Sequence, residues 1–352
     1  MLSAVSDVPS PRPRQGGSER AQLVEFPGTE TTLPEYCDWL KQQFPAVAGV
    51  VRSLRGLPAS ELEAKVASLA AFDGEFSSAG RGRSWVRGTT NRFHVRRRGM
   101  SSLFELMAQS ESVSLGALPQ DFTVLDAFGG AGFIAQFAQR ILEFRGCVVT
   151  SDPSALMVES AYLTGLPTLW QRAQDLYMIQ EDSLDCVLIA YGAHHVPVPE
   201  RQQMFCEAWR VLRPGGTLVF HDFVESSPMA TFFRDVVHRY SRTGHDHEHF
   251  TSDGLATYLA RAGLSVTSVH TMADDFQFDG VDAQREATEW IKTVYGLEKL
   301  PAGKAGDHLL WREVRRIFEV NDSTAADDES GRLAIRRDAL VALARKTQRV
   351  RV

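Results

Sequence analysis

Cysteine is scarce in this sequence, with four residues in 352 and no pair at CxxC spacing. A disulfide framework or a cysteine-based zinc module needs cysteines at closer, recurring spacing, so the sequence excludes both classes. Cys147 and Cys186 fall in predicted buried strands, which indicates small core side chains and no redox chemistry.

The sequence also lacks a basic excess and any long apolar run. Its 38 lysines and arginines stand against 44 acids, a net charge of -6, so we expect no nucleic-acid partner. No apolar segment reaches the roughly 20 residues that span a bilayer. Residues 1–20 have no apolar core of a secretion signal. We therefore expect no membrane partner, a cytoplasmic location and a small-molecule substrate.

A glycine cluster lies between an apolar strand and a helix. Residues 124–135 read VLDAFGGAGFIA, in which Asp126 ends the apolar run. Gly129, Gly130 and Gly132 allow a sharp turn close to a ligand, and apolar residues at helical spacing follow. Such a strand-to-helix turn predicts a nucleotide-cofactor site. The pattern alone fits NAD as well as S-adenosylmethionine.

Further segments follow this turn in a fixed order. Residues 147–152 read CVVTSD, a strand that ends in an acid, and residues 183–197 read SLDCVLIAYGAHHVP. Residues 211–220 read VLRPGGTLVF. With the glycine cluster, these segments resemble the class I S-adenosylmethionine-dependent methyltransferases over residues 120–346. The resemblance implies S-adenosylmethionine as the cofactor.

The resemblance assigns cofactor roles to individual residues. Asp152 is placed to accept both ribose hydroxyls, and residues 173–175 are similar to the adenine-flanking loop of the family. A negative Asp126 favours a sulfonium ligand and would repel the pyrophosphate of NAD. Phe128 departs from the family, standing where its first glycine usually lies. The expected cofactor-binding residues are Asp126, Gly129, Gly130, Gly132, Asp152, Ala173, Gln174, Asp175 and Tyr191.

The same resemblance implies an α/β fold with a Rossmann-like, seven-stranded sheet. We expect a disordered arm over residues 1–20, then a helical region over residues 21–118 that shapes the substrate pocket or forms a homodimer contact. The methyltransferase domain is expected over residues 119–352. Its last strand is predicted at residues 339–345, after a helical insertion over residues 276–332 that caps the active site.

Three consecutive arginines, Arg96, Arg97 and Arg98, end the helical region. A solvated charge run is one interpretation. The other is that one guanidinium reaches the pocket and binds a substrate carboxylate through two parallel hydrogen bonds. We assign this catalytic role to Arg97 and Arg98, and an acidic substrate would require it.

Histidines at strand ends predict a metal site. His221 and Asp222 end the fifth predicted strand and His270 ends the sixth, and ligands bind beyond the carboxyl ends of such strands. Two histidines and one carboxylate leave coordination positions open on iron or zinc. Their order along the chain resembles that of the metal-dependent α-keto acid C-methyltransferases of nonribosomal peptide pathways.

Two other histidine groups are alternatives. His245, His247 and His249 recur at every second residue, which would place three imidazoles on one side of an extended loop. His194 and His195 resemble the family's loop after the fourth strand, where either histidine would serve as a catalytic base.

These features predict an S-adenosylmethionine-dependent methyltransferase of specialised metabolism. The finer prediction is C-methylation at the β carbon of an α-keto acid, which the metal chelates while stabilising the enolate. A metal-independent O- or N-methyltransferase with a histidine base is the alternative. A cofactor-binding protein without catalysis is a more distant one.

Overall fold

The computed structural model describes residues 25–72, 74–323 and 331–347, so the arm expected over residues 1–20 lies outside the described residues. Short 3-10 turns occur at Phe93–Arg96 and Ala193–His195, and a π-helical segment at Phe233–Val237 joins the two short helices on either side of it. In chain order, the α-helices of the described residues are α1 Leu33–Gln43, α2 Ala59–Ala70, α3 Gly82–Thr89, α4 Arg97–Ser110, α5 Phe133–Arg140, α6 Ala155–Tyr162, α7 Val198–Val211, α8 Pro228–Phe232, α9 His238–Tyr240, α10 Ser252–Arg261, α11 Ala283–Val294 and α12 Lys304–Ile317.

The described strands form two sheets. The larger sheet has seven strands in the order β3-β2-β1-β4-β5-β10-β6. β10 runs antiparallel to β5 and β6 on either side of it, and all the other neighbouring strands are parallel. This order confirms the predicted fold class. The strands are β1 Thr123–Asp126, β2 Cys147–Asp152, β3 Thr168–Trp170, β4 Leu184–Ala190, β5 Leu212–Asp222, β6 Leu264–Ala273, β7 Phe276–Asp279, β8 Val320–Asp322, β9 Arg332–Ile335 and β10 Asp338–Lys346.

The central strands are apolar because both faces of the sheet are covered. Every residue of β1 is buried, as are nearly all residues of β2 and β4. Since these strands are parallel, their carboxyl ends meet at one edge. Asp126, Asp152 and Ala190 end the three strands there, so this edge holds the polar groups that the sequence assigned to the cofactor.

The N-terminal helices pack into the core of the large sheet. α1 begins with a capping box, in which Thr32 accepts the backbone N–H of Glu35 and the Glu35 carboxylate accepts that of Thr32. The buried hydroxyl of Tyr36 donates to the carbonyl oxygen of Thr168 in β3 at 2.8 Å. Apolar residues of α1 and α2 belong to the same buried cluster as those of β1, β2 and β4.

The insertion before β10 contains strands as well as helices. The sequence predicted a helical insertion over residues 276–332, and α11 and α12 lie within it. The structure adds a three-stranded antiparallel sheet in the order β7-β9-β8. Its first strand alternates buried Phe276 and Phe278 with the less buried Gln277 and Asp279, a period of two that specifies a strand.

Gly132 permits the close packing of α5 beside the sheet. Its φ is +78°, and a β carbon there would lie 2.1 Å from Cδ1 of the buried Leu166. We expect Gly132→Ala to lower the free energy of unfolding by about 2 to 4 kcal/mol, from backbone strain and overpacking together. Gly280→Ala is the matched control, since Gly280 has φ +87° and open space around it. Urea unfolding that shows equal losses for both variants would contradict the packing argument.

Candidate active site

A cavity of about 640 Å³ opens at the carboxyl edge of the large sheet. Its walls come from the turns after β1, β2 and β4, from the loop between α2 and α3, and from residues 243–247 after α9. This volume lies within the range of roughly 300 to 1,000 Å³ that small-molecule pockets have. The cavity therefore joins the predicted cofactor turn to elements outside the large sheet.

The glycine turn after β1 borders the cavity with bare backbone. Gly130 has φ +53°, and a β carbon at Gly129 would lie 3.1 Å from Oδ2 of Asp126. Both glycines line the cavity. Gly132, also expected to bind the cofactor, does not line it, because its missing side chain makes room for Leu166 on the other side of the turn.

Two buried acids stand at this turn. Neither carboxylate oxygen of Asp126 has a hydrogen-bond partner among the described residues, and burial raises its pKa to about 8. Burial likewise raises the pKa of Asp152 to about 7, although Oδ1 accepts the backbone N–H of Ser154 at 2.8 Å. Because an unpaired buried carboxylate is costly, the site favours a ligand that brings positive charge and hydroxyl donors.

S-adenosylmethionine fits these two acids. Its methionine part carries cationic groups that match the unpartnered oxygens of Asp126, and its ribose carries the hydroxyls that match Asp152. A pyrophosphate would bring no cation to Asp126, and its own negative charges would be buried beside the two acids. The two acids and the glycine backbone are thus the residues that would hold this cofactor.

Three further residues were expected to bind the adenine end. Ala173 and Gln174 line the cavity, and the Gln174 amide donates to Glu200 at 2.6 Å. Asp175 does not line the cavity, because the turn points its carboxylate to Lys65, which it binds at 2.7 Å. Tyr191, the other predicted residue, lines the cavity with a positive φ of 60°.

A carboxylate and three imidazoles meet at the other end of the cavity. His245 Nδ1 lies 2.8 Å and His247 Nε2 lies 3.0 Å from the same oxygen, Oε1 of Glu75. His195 Nδ1 lies 3.2 Å from His247 Nε2. All four residues line the cavity. Burial lowers the pKa of His195 and of His245, so these rings are neutral at pH 7.

A second, fully buried group lies behind this one. His194 Nδ1 lies 2.7 Å from Oδ1 of Asp222, whose Oδ2 accepts the backbone N–H of His194. His249, the third member, is close enough to share a centre with them. The structure therefore separates the two candidate bases, because His195 lines the cavity whereas His194 does not.

The predicted metal ligands His221, Asp222 and His270 are not brought together. His221 and Asp222 are successive strand residues, so their side chains leave opposite faces of the sheet. His221 lies 3.2 Å from Asp274, and Asp222 holds His194 instead. His270 is exposed, with β10 between its strand and that of His221. The three residues do not fit a shared ion.

Of the three consecutive arginines, Arg96 is the one that lines the cavity. Its side chain is buried, its Nε has no partner among the described residues, and it packs over the rings of Tyr191 and Trp85. Arg97 and Arg98, to which the sequence assigned the role, are exposed on the first turn of α4, and Arg98 pairs with Asp275. Neighbouring residues of a helical turn point in different directions, so a shift of one residue along the chain decides which arginine side chain points into the cavity.

Several residues of the site gave no sequence signal. Glu75 and Trp85 line the cavity from segments that carry no motif. Asp274 is buried beyond the predicted end of β6, where it accepts from the Tyr191 hydroxyl at 3.2 Å and pairs with Arg337. The alternation of His245 and His247 and the loop that contains His195 were the local patterns that pointed to this histidine cluster.

Comparisons with known proteins agree with the topology. Residues 124–216 match the family model of a methyltransferase domain. The ubiquinone/menaquinone biosynthesis C-methyltransferase UbiE of Hahella chejuensis is 28% identical over 157 residues, covering 39% of this chain and 62% of the relative. That of a Marinomonas species is 24% identical over 149 residues, covering 40% and 58%. The chain thus spans less than two thirds of either relative.

Among solved structures, phosphoethanolamine N-methyltransferase 2 of Haemonchus contortus, in complex with S-adenosyl-L-methionine, matches with a TM-score of 0.49 and 16% identity. The match covers 78% of this chain and 59% of that one. The strand order, the glycine turn and the strand-end acids define a Rossmann-like methyltransferase domain. The chain accordingly carries a class I S-adenosylmethionine-dependent methyltransferase domain.

Asp152 and Asp175 give a matched pair of variants for cofactor binding. We expect Asp152→Asn to weaken S-adenosylmethionine binding by about 10- to 100-fold, because it removes charge-assisted hydrogen bonds to the ribose. Asp175→Asn is expected to change it less than about twofold, since this acid forms a half-exposed ion pair with Lys65. Isothermal titration calorimetry measures both. Equal losses in the two variants would contradict the assignment.

The raised pKa of Asp126, about 8, predicts how stability depends on pH. The unfolded carboxyl has a pKa of about 3.9, so the folded ligand-free protein loses stability as the pH rises from about 4 to 8. Asp126→Asn is therefore expected to be more stable than the wild type at pH 8, on the order of a few kcal/mol, with a smaller difference at pH 5. Calorimetric melting at both pH values tests this, and a difference independent of pH would contradict it. Saturating S-adenosylmethionine is expected to reverse the order at pH 8.

Proposed function

We propose that this protein transfers a methyl group from S-adenosylmethionine to a small-molecule acid. The observation that carries the proposal is one cavity lined by two kinds of group. These are the buried acids Asp126 and Asp152, and the buried guanidinium of Arg96 with the neutral imidazole of His195. These groups complement a cationic cofactor and an anionic acceptor respectively.

Each side chain has a separate task in this proposal. Arg96 binds the carboxylate of the acceptor, since burial in an aromatic surrounding strengthens its attraction for an anion. His195, neutral and beside the cavity, takes a proton from the acceptor. Phe76 and Trp85 line the same region and exclude water from it. When bound, S-adenosylmethionine supplies the electrophilic methyl group.

The finer proposal is C-methylation at the β carbon of an α-keto acid. This reaction needs a cation for the carboxylate and a base for the β proton, and Arg96 and His195 offer both. The two relatives named as C-methyltransferases support carbon as the acceptor atom, within the part of their length that matches. A place in nonribosomal peptide metabolism, a cytoplasmic location and a homodimer through the N-terminal region remain predictions.

The same base would serve O-methylation of a phenolic acid, which needs no enolisation. A screen with S-adenosylmethionine against α-keto acids and phenolic acids separates these reactions, with mass spectrometry locating the added methylene. Methylation on carbon of an α-keto acid supports the finer proposal. Methylation on oxygen or nitrogen would overturn it while leaving methyl transfer in place. No helix among the described residues is long and apolar enough to cross a membrane.

Arg96→Gln and Arg98→Gln form a matched pair for acceptor binding. We expect Arg96→Gln to raise the KM for the methylated acid by about 10-fold or more, because it removes a charge-assisted hydrogen bond in a buried site. Arg98→Gln is expected to stay within about twofold of the wild type, since the Arg98 side chain is 56% exposed. Steady-state kinetics at saturating S-adenosylmethionine measures the effect. An unchanged KM in Arg96→Gln would contradict the role of Arg96.

A further inference from the structure

Four potential metal ligands meet where three separate segments of the chain converge. Glu75 comes from the loop between α2 and α3, His195 from the 3-10 turn after β4, and His245 and His247 from the loop after α9. One ligand atom from each lies within 4.8 Å of the corresponding atom of every other. Neighbouring residues of one helix or strand often lie close together without any function. These four side chains meet only because three separate loops are placed at the same point.

The spacing of the four atoms suits a single small ion. A tetrahedral metal with bonds of roughly 2.0 to 2.2 Å holds its ligand atoms about 3.3 to 3.6 Å apart. Around Glu75 Oε1, the distances to His245 Nδ1, His247 Nε2 and His195 Nδ1 are 2.8, 3.0 and 4.0 Å. Since all four donor atoms lie within 4.8 Å of one another, side-chain shifts of up to about an ångström bring them to bonding distance from one centre.

The charges at this cluster also suit a cation. Glu75 supplies a carboxylate whose Oε1 lies within hydrogen-bonding distance of ring nitrogens of both His245 and His247. A carboxylate oxygen and imidazole nitrogens are donors that a cation binds, and the ring N–H that now faces Oε1 of Glu75 would be lost or moved to the other ring nitrogen when an ion binds. The other oxygen of Glu75 accepts from Arg81 at 2.9 Å, which leaves Oε1 for the cluster.

Surrounding residues hold the rings in place. Phe233 stacks on His245 with ring centres 4.1 Å apart, and His238 Nδ1 accepts the backbone N–H of His245. Behind them, Asp222 fixes His194, whose ring packs 4.2 Å from that of His195. Such support around the ligands is what a metal site needs to keep its geometry.

We propose that Glu75, His195, His245 and His247 bind one divalent first-row transition-metal ion, of the kind that imidazole and carboxylate ligands favour, such as zinc or iron(II). The side chains of His195 and His247 are 19% and 29% exposed and face the cavity. A fifth position on the ion would therefore be open to an oxygen of water or acceptor, and with the ion bound a coordinated hydroxide would take the acceptor's proton in place of His195. Only this last use of the ion rests on the proposed function.

Metal binding is tested on tag-free, full-length protein without S-adenosylmethionine or acceptor. After chelation and dialysis, we expect the wild type to take up one equivalent of zinc by elemental analysis, and cobalt(II) to give visible absorption bands of a protein-bound ion. His247→Ala and Glu75→Gln are expected to weaken zinc binding by more than about 100-fold, the upper range seen even for residues outside the ligand set. His270→Ala, at an exposed histidine, is the control and should bind as the wild type does.

Thermal unfolding excludes misfolding as the cause. Zinc should raise the Tm of the wild type and of His270→Ala, and should leave that of His247→Ala unchanged, because a ligand stabilises only a protein that binds it. The proposal is overturned if the wild type binds no stoichiometric metal, or if His270→Ala loses it and His247→Ala does not. In the first case the cluster is a hydrogen-bonded group around Glu75. Methyl transfer is measured separately, so its failure would not be confused with this one.

Discussion

The carboxylate of Asp126 is fully buried at the end of β1, and neither of its oxygens is hydrogen-bonded by a described residue. A second acid, Asp152, ends the neighbouring strand in the same cavity. Burial makes both carboxylates costly to ionise in the free protein, and a cationic ligand with hydroxyl groups removes that cost. This arrangement selects the cofactor, because the parallel strands place the acids side by side while the glycine turn lets the ligand approach them. Cofactor binding in this cavity therefore depends on Asp126 and Asp152 together.

The acceptor end is built by parts of the chain outside the large sheet. Arg96 comes from the turn before α4, Glu75 from the loop before α3, and His245 and His247 from the loop after α9, while His195 comes from the turn after β4. These segments pack against the sheet and against the insertion between β6 and β10. The cavity therefore brings the two strand-end acids together with the buried guanidinium of Arg96. A cofactor and an acceptor of opposite charge would bind side by side.

The sequence predicts the sheet and the cofactor end well because their information is local. The glycine cluster and the acids of β1 and β2 each lie at a recognisable strand end, and the strand order follows from the resemblance. Contacts between distant segments are not predictable in this way. The predicted metal ligands His221, Asp222 and His270 do not form one site, because successive strand residues such as His221 and Asp222 point to opposite faces of the sheet. Arg96 and Arg97 are adjacent in the sequence, and only the direction of each side chain on the turn separates their roles. Glu75 lies beside the histidines because distant loops pack together, which no local sequence pattern predicts.

The most direct test of the central claim is calorimetric titration of the protein with S-adenosylmethionine and with NAD in the same buffer. The buried Asp126, which lacks a cationic partner, predicts stoichiometric binding of S-adenosylmethionine and binding of NAD that is about 100-fold weaker or more, because a pyrophosphate brings no cation to Asp126 and its own charges would be buried beside two acids. Binding of NAD as tight as that of S-adenosylmethionine, or no binding of S-adenosylmethionine, would contradict the account.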